Sequence, residues 1–446
     1  MSFEHDMIET DAAKTNGAGT RRFAGRQVLA LGTFDSFLRT SVVVGRMFEA
    51  EGATLRIAVL AAAGKTAQLS DRQLREGGVN HTVPMVSAET LVRSKLFRDS
   101  DVVVAVVDGG RARELFLALN ASDLARGKRR PLVAIASPGL ALTEHLAGYM
   151  SRAPADVLCF NAEGERALYE EAASEIGVDP SNAAVTGLLS VDRRRRPAPA
   201  ASRGPIVFFE QPVIPARKMQ RTHLLAGLVD VARGRPGVDV LIKLRHSKSE
   251  TAHHEARFHL EDLAKNLFAR TAQPANLRFT HENAYTLMDR ASLVVTVSST
   301  VAVEAMARGI PTRIVSDFGI SEALGTSYFV GSGCFSPLAG LSPDMKDVTR
   351  RPWLEARSGA AAEPEALLGR CATLLAEQES LGHALPLRPL APAYGSAGFV
   401  AYALGIGGPV AVHAPHLLDR PMRGLTFIGA VASRLRQVGS IRRQKP

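Results

Sequence analysis

Hydroxyls, cations and carboxylates suited to phosphate and sugar chemistry fall in a few short stretches of this chain. Ser298, Ser299 and Thr300 stand between a β-branched run, 293–297, and a helically spaced set, Val301, Ala302, Ala305 and Met306, that Gly309-Ile-Pro311 ends. A strand running into a hydroxyl-capped helix aims free backbone N–H groups and the positive end of a dipole at the strand's carboxyl edge, where phosphate binds readily. The same residues also suit an ordinary capped helix. Glu304, one turn on, can accept from a ribose hydroxyl or simply favour the helix start. Lys243, Arg245 and His246 end another strand, and their charge suits a phosphate whose leaving oxygen becomes negative. A solvated basic loop is the alternative.

Carboxylates follow two strands of the first half. Asp35 and Ser36 come directly after the first strand, where Asp35 can take a proton from an incoming hydroxyl or cap the next helix. Asp108, beside Gly109 and Gly110, is either a turn residue or a cleft carboxylate. Ser137, before Pro138-Gly139, can line the acceptor side or belong to a plain turn.

Positioning these groups requires alternating strands and helices. Strands are expected at 28–31, 55–60, 83–86, 102–107, 132–135, 156–160 and 184–185, with helices around Phe37 to Phe48, Leu91 to Phe97 and Leu115 to Leu119. Asp192-Arg-Arg-Arg-Arg-Pro and the small residues up to Gly204 break the pattern as an exposed linker does. A second series follows, with strands at 206–209, 238–244, 277–279, 293–297 and 312–315 and helices at 219–232, 258–267, 284–290 and 363–378. The expectation is α/β: two doubly wound Rossmann-like domains facing a central cleft. Their bounds are a disordered leader 1–22, an acceptor domain 23–191, a linker 192–204, a donor-nucleotide domain 205–385 and an extension with a basic tail 386–446.

At 446 residues, with 46% hydrophobic, the chain can fill two cores. Its 54 Lys and Arg exceed 44 Asp and Glu, giving +10, which favours nucleotides, phosphate-bearing glycans or an anionic membrane surface. Only 6% of residues are aromatic, against a nucleic-acid partner that stacks bases. Cys159, Cys334 and Cys371 have no paired spacing, so neither a disulfide framework nor a thiolate metal site is expected, and a cytoplasmic setting fits. Residues 391–418 carry no charge but are interrupted by Gly and Pro, which suits a buried or membrane-surface segment better than a span. His253, His254 and His259 lack accompanying ligands, and Asp99-Ser-Asp101 precedes a strand instead of following one, so no metal is expected. No cofactor motif of the P-loop or dinucleotide kind occurs.

At these residues the chain resembles bacterial GT-B glycosyltransferases of the capsule-polysaccharide, sialyl- and Kdo-transferase type. Lys243-Leu-Arg-His246 is similar to that group's basic-histidine motif and Ser298-Ser299-Thr300 to its paired-serine motif, with Ser247 where the group usually has proline. The likeness runs from Gln27 to Gly319 and is strongest from Ile206. Phe34-Asp-Ser36, with Arg245 to Glu250 and His254, also resembles an uncharacterised actinobacterial family described as glycosyltransferases. The resemblance implies a nucleotide-sugar donor on the second domain and a glycan or glycolipid acceptor on the first. It implies inversion by one displacement, with Asp35 as base, His246 and the capped helix at the leaving phosphate, and no metal. A GT-B-like sugar-nucleotide epimerase, a glycerol-phosphate transferase and a non-catalytic membrane- or nucleic-acid-binding protein are the rivals. Contact with the inner membrane through the basic tail completes the expectation.

Overall fold

The computed structural model describes residues 21–61, 69–127, 129–137, 139–140, 145–191, 204–245, 257–359 and 365–390. The first lobe carries β1 (Gln27–Gly32), α1 (Asp35–Ala50), β2 (Thr54–Leu60), α2 (Asp71–Glu76), β3 (Met85–Val86), α3 (Ala88–Arg93), α4 (Lys95–Arg98), β4 (Val102–Val106) and α5 (Gly109–Asn120). It continues with β5 (Leu132–Ala136), α6 (His145–Met150), β6 (Val157–Phe160), α7 (Glu163–Glu175) and β7 (Ala183–Val185). The second lobe carries β8 (Ile206–Phe209), α8 (Lys218–Arg233), β9 (Val240–Lys243), α9 (Leu260–Phe268), β10 (Leu277–Thr280), α10 (Ala284–Arg290), β11 (Leu293–Thr296) and α11 (Thr300–Ala307). After these come β12 (Thr312–Val315), β13 (Phe335–Ser336), α12 (Arg351–Ser358) and α13 (Glu365–Leu381).

The first sheet runs β3-β2-β1-β4-β5-β6-β7 and the second β10-β9-β8-β11-β12-β13, with parallel pairing throughout both. In each, the chain builds outward from one strand, then returns to build on its other side. The order therefore reverses between β1 and β4 and between β8 and β11. At such switch points the flanking turns diverge and leave a crevice at the carboxyl edge. The architecture is the expected one: α/β, GT-B-like, two Rossmann-like lobes with a cavity between them.

Every central strand is buried on both faces, which is why these runs read as continuous β-branched stretches rather than alternations. In β4, Val103 and Ala105 pack with α3 and α5, while Val102, Val104 and Val106 pack on the other side with α1 and α13. In the second lobe Val295 faces the α8 and α9 layer and Val294 the α10 and α11 layer.

Several elements depart from expectation, among them α2, α6 and α12, for which no helix was expected. Helix α7 is polar and buries only Tyr169 and Ala173, too few to impose an apolar period, and strand β13 has two residues. Helix α13 falls inside the range assigned to the second domain, yet it packs on the first sheet, against β5, β6 and β7. Leu367, Leu368, Cys371, Leu374 and Leu375 drive this return, each buried leucine contributing about 2 kcal/mol. Arg130 secures the segment beyond α13: it bridges Asp156 with two 2.7 Å bonds and donates to the carbonyls of Leu385 and Pro386 at 2.9 and 3.1 Å. Residues 386–390 thus belong with the first lobe, while 391–446, including the uncharged stretch and the basic tail, lie outside the described residues. Among the described residues no helix is long and apolar enough to cross a membrane.

Gly32 sets where α1 begins. A Cβ there would stand 2.3 Å from Leu38 Cα, a backbone clash that no rotamer relieves. Gly32→Ala is expected to destabilise the first lobe by about 1–3 kcal/mol and to displace the start of α1. Urea unfolding of purified variant and parent measures this, and equal midpoints would refute the tight β1–α1 turn.

Candidate active site

A cavity of about 550 Å³ lies between the carboxyl edges of the two sheets. The first lobe contributes the β1–α1 turn with Asp35, Ser36 and Arg39, and the β4–α5 turn with Asp108 and Gly109. The second contributes Gln211 after β8, Lys243 and Arg245 from β9 onward, Tyr285 on α10, and Ser298, Ser299, Thr300 and Glu304 at and after the end of β11.

The β11–α11 turn is held from behind. Gln211 accepts the Ser298 N–H at 2.8 Å, and the Ser298 hydroxyl donates to the Leu324 carbonyl at 2.5 Å. Gln211 is itself fixed because Arg221, 1% exposed and paired with Glu210, donates to the carbonyls of Gln211 and Pro212 at 3.1 Å. Ser298 is therefore committed to shaping the turn. Ser299 is the N-cap of α11, its oxygen 3.4 Å from Val301 N, and Thr300 opens the helix.

Lys243 is buried at the end of β9 and donates to the Leu244 carbonyl at 2.8 Å. Burial pushes its ammonium below the usual lysine range; Glu76 and Asp35 of the first lobe oppose that shift, while Arg72 and Arg245 add to it. Arg245 crosses the cleft, donating to Ser36 Oγ at 3.1 Å with Asp35 Oδ1 3.8 Å away. Asp35 is the first residue of α1, whose N-cap is Phe34, so it is not the capping group.

Glu304 is buried and bonded to the Tyr285 hydroxyl, which also lies 3.2 Å from the Ser190 carbonyl. Asn283 caps α10 by accepting from Tyr285 N at 2.9 Å, which places that ring. Arg39 stacks on it from the first lobe, its guanidinium carbon 3.4 Å from the ring centroid. Burial raises the Glu304 carboxyl above 4.5, while Arg39, Tyr285, Ser190 and Arg308 hold it down. The Tyr285 phenol is pushed well above its ordinary value by burial and by Glu304, so it remains a donor.

Of the remaining sequence-derived candidates, Asp108 is the N-cap of α5, accepting from Arg111 N at 3.0 Å, and it also lines the cavity. Ser137 is not on the cavity wall. Gly139 is, so close to Thr300 that a Cβ there would meet Thr300 Oγ1 at 2.9 Å. His246 lies outside the described residues, as do Glu250, His253 and His254. Among the described residues no three His, Cys, Asp or Glu side chains are grouped to hold a metal. Sequence reading missed Arg39, Gln211 and Tyr285. Gln211 and Tyr285 follow strands at the same carboxyl edge, and Arg39 shares a helix face with Asp35 four residues earlier, so the edge rule could have reached all three.

A family model described as putative glycosyltransferase (DUF6716) matches residues 28–374. No curated protein sequence matches the chain. Among solved structures, the chain is similar to the S. aureus MnaA–UDP complex, with 10% identity, 87% of this chain and 100% of that one covered, and a TM-score of 0.47. It is similar also to a Methanocaldococcus jannaschii UDP-GlcNAc 2-epimerase in complex with UDP-GlcNAc and UDP, with 12% identity, 74% and 98% covered and a TM-score of 0.47. Acinetobacter baumannii MurG is a third, with 15% identity, 79% and 99% covered and a TM-score of 0.41.

Stability depends on pH through the raised Glu304 carboxyl. The folded chain retains a proton that the unfolded chain has lost, so this group's contribution falls as pH rises from 4.5 through the raised value and is flat above it. Glu304→Gln is expected to remove that pH dependence and to be at least as stable as the parent at pH about 8. Urea unfolding at low and high pH checks it; a variant with the parent's pH slope contradicts the assignment.

Proposed function

Because the chain belongs to this glycosyltransferase family, we propose that it moves a sugar from a nucleotide-sugar donor on the second lobe to a cell-surface polysaccharide or glycolipid acceptor on the first. One observation carries the reading: a single cavity at two facing switch points gathers a carboxylate after β1, two cations from β9 onward and the hydroxyl-capped start of α11.

In this reading the donor's diphosphate meets the first N–H groups of α11, with Ser299, Thr300, Lys243 and Arg245 around it, and its ribose meets Glu304. The acceptor hydroxyl gives its proton to Asp35 as its oxygen attacks the anomeric carbon. The bond from that carbon to the phosphate oxygen breaks, and the nucleotide leaves with the electron pair. Attack opposite the departing group inverts the anomeric centre. The leaving charge is met by protein cations and helix N–H groups, with His246 next to Arg245 in sequence, and the reading uses no metal. Arg245 is paired with Asp35 and Ser36. A donor phosphate that competes for this arginine would release Asp35 as a base, so the donor is expected to bind first. Contact with an anionic membrane through the basic tail, Arg434 to Lys445, belongs to the same reading.

The test is a thermal-shift screen of the full chain against UDP, GDP, CDP, CMP and ADP. One nucleotide at about 100 times its Kd should stabilise by roughly 2.7 kcal/mol. Indifference to all of them would refute the donor site. With an active donor–acceptor pair, Asp35→Asn is expected to slow transfer by about 10²–10⁴-fold while nucleotide binding persists, and EDTA should leave the parent rate unchanged. Transfer by Asp35→Asn at the parent rate would remove Asp35 from the chemistry.

A further inference from the structure

Arg39 is a cavity residue with no part in the transfer just described. It sits on α1, one turn beyond Asp35, and its guanidinium lies flat against a ring of the opposite lobe, 3.4 Å from the Tyr285 centroid. Behind that ring the Tyr285 hydroxyl is bonded to Glu304, so cation, phenol and carboxylate form one stack that crosses the cleft. All three border the cavity.

The other groups facing Glu304 create the need for such a cation. From α10 comes Tyr285, which is neutral; from the segment after β7 comes Ser190, also neutral. Arg308, just beyond the end of α11, is bound to Asp289. Arg39 arrives from the other lobe and forms no ion pair of its own among the described residues. A carboxylate removed from water without a partner takes up a proton instead of keeping its charge. A protonated carboxyl gives up part of its acceptor capacity to an O–H, so the carboxylate accepts ribose hydroxyls better.

We infer that Arg39 is a cross-lobe positioning residue: lying on the Tyr285 ring, it favours the ionised, accepting form of Glu304, so the ribose site is complete only while the two lobes are closed on each other. The inference rests on the nucleotide-sugar reading. Opening the cleft withdraws Arg39 from the Tyr285 ring, and the carboxylate bonded to that phenol loses the cation that positions it. Nucleotide release is thereby coupled to opening.

The experiment measures, by titration calorimetry, the Kd of whichever of UDP, GDP, CDP, CMP and ADP binds the parent chain. It compares the parent, Arg39→Gln and Arg39→Lys between pH about 5.5 and 9, a range wide enough to follow the titration of a buried carboxyl. Arg39→Gln should bind ~10-fold more weakly near pH 6 and converge on the parent near pH 9, because loss of the cation moves the carboxyl's titration further upward. Arg39→Lys should keep the parent's profile. Weakening of Arg39→Gln by the same factor at every pH, or no change at all, overturns the inference while leaving the nucleotide site standing. A parent chain that binds none of the five overturns both. If Arg39→Gln does not fold, the double variant R39Q/E304Q decides. Recovery of the parent's unfolding midpoint shows that the Glu304 carboxyl left without Arg39 was the fault, and failure to recover it overturns the inference.

Discussion

The two lobes meet through a reciprocal exchange of arginines. Arg245 leaves the end of β9 to reach Ser36 and Asp35 on the first lobe, and Arg39 leaves α1 to reach Tyr285 and, through it, Glu304 on the second. Asp35 and Arg39 are four residues apart, so both contacts use one face of one helix turn. That turn in turn depends on Gly32, which lets the backbone of α1 pass directly over the end of β1. A parallel sheet brings all its carboxyl ends to one edge, and two such edges facing each other crowd polar groups into one cavity. Opposite charges contributed from opposite sides are what make the crowding tolerable.

Magnitudes separate the contacts that build the fold from those that work the cleft. Arg130–Asp156 and Arg221–Glu210 are buried pairs in which further guanidinium donors reach backbone carbonyls, and breaking such a pair costs about 3–5 kcal/mol. Arg245–Asp35 is half-exposed at 3.8 Å, a contact in the range of about 0.2–1 kcal/mol. The first kind holds Gln211 and hence the Ser298 turn in place whatever the cleft contains. The second is weak enough for a dianionic ligand to displace. Glu304 lies between these classes: its burial costs stability that a glutamine would not, and a carboxylate placed there is explained by what it can accept rather than by what it holds together.

The paired sheets were legible because buried parallel strands write themselves as uninterrupted β-branched runs, as in 102–106 and 293–296, and because Gly and Pro mark their ends. The strand-end rule then located Asp35, Asp108, Lys243, Arg245 and Ser299 on the cavity wall without any side-chain geometry. It failed at Ser137, since it is Gly139, two positions on, that meets Thr300. Ser298 too lies on the cavity wall, but its hydroxyl donates to Leu324, a residue 26 positions away that no local pattern links to it. Long-range pairing also hid α13. Its leucines have the spacing of any amphipathic helix, and nothing in that spacing says which of two sheets they cover.

The return of α13 fixes how the lobes can move. Among the described residues the chain changes lobe between β7 and β8 and again between α12 and α13, and residues flanking the two changes meet beside β6 and β7. There the Leu188 N–H donates to the Ser358 carbonyl at 2.9 Å, and Gly359, at φ +54°, approaches Asn161 so closely that a Cβ would meet its carbonyl at 2.2 Å. Helix α12 packs against both α7 and α11. Backbone bonds and packed helices on that side resist separation, whereas the β1–β9 side is joined by the Arg245 and Arg39 side chains. A rigid-body opening would therefore pivot on the α12 side and separate the arginine contacts first. Because those two arginines reach a carboxylate after β1 and, through Tyr285, the carboxylate on α11, one motion alters the electrostatics of both halves of the cavity together. The positions of the crossings, set by where α13's leucines are buried, thus determine which charges a substrate meets.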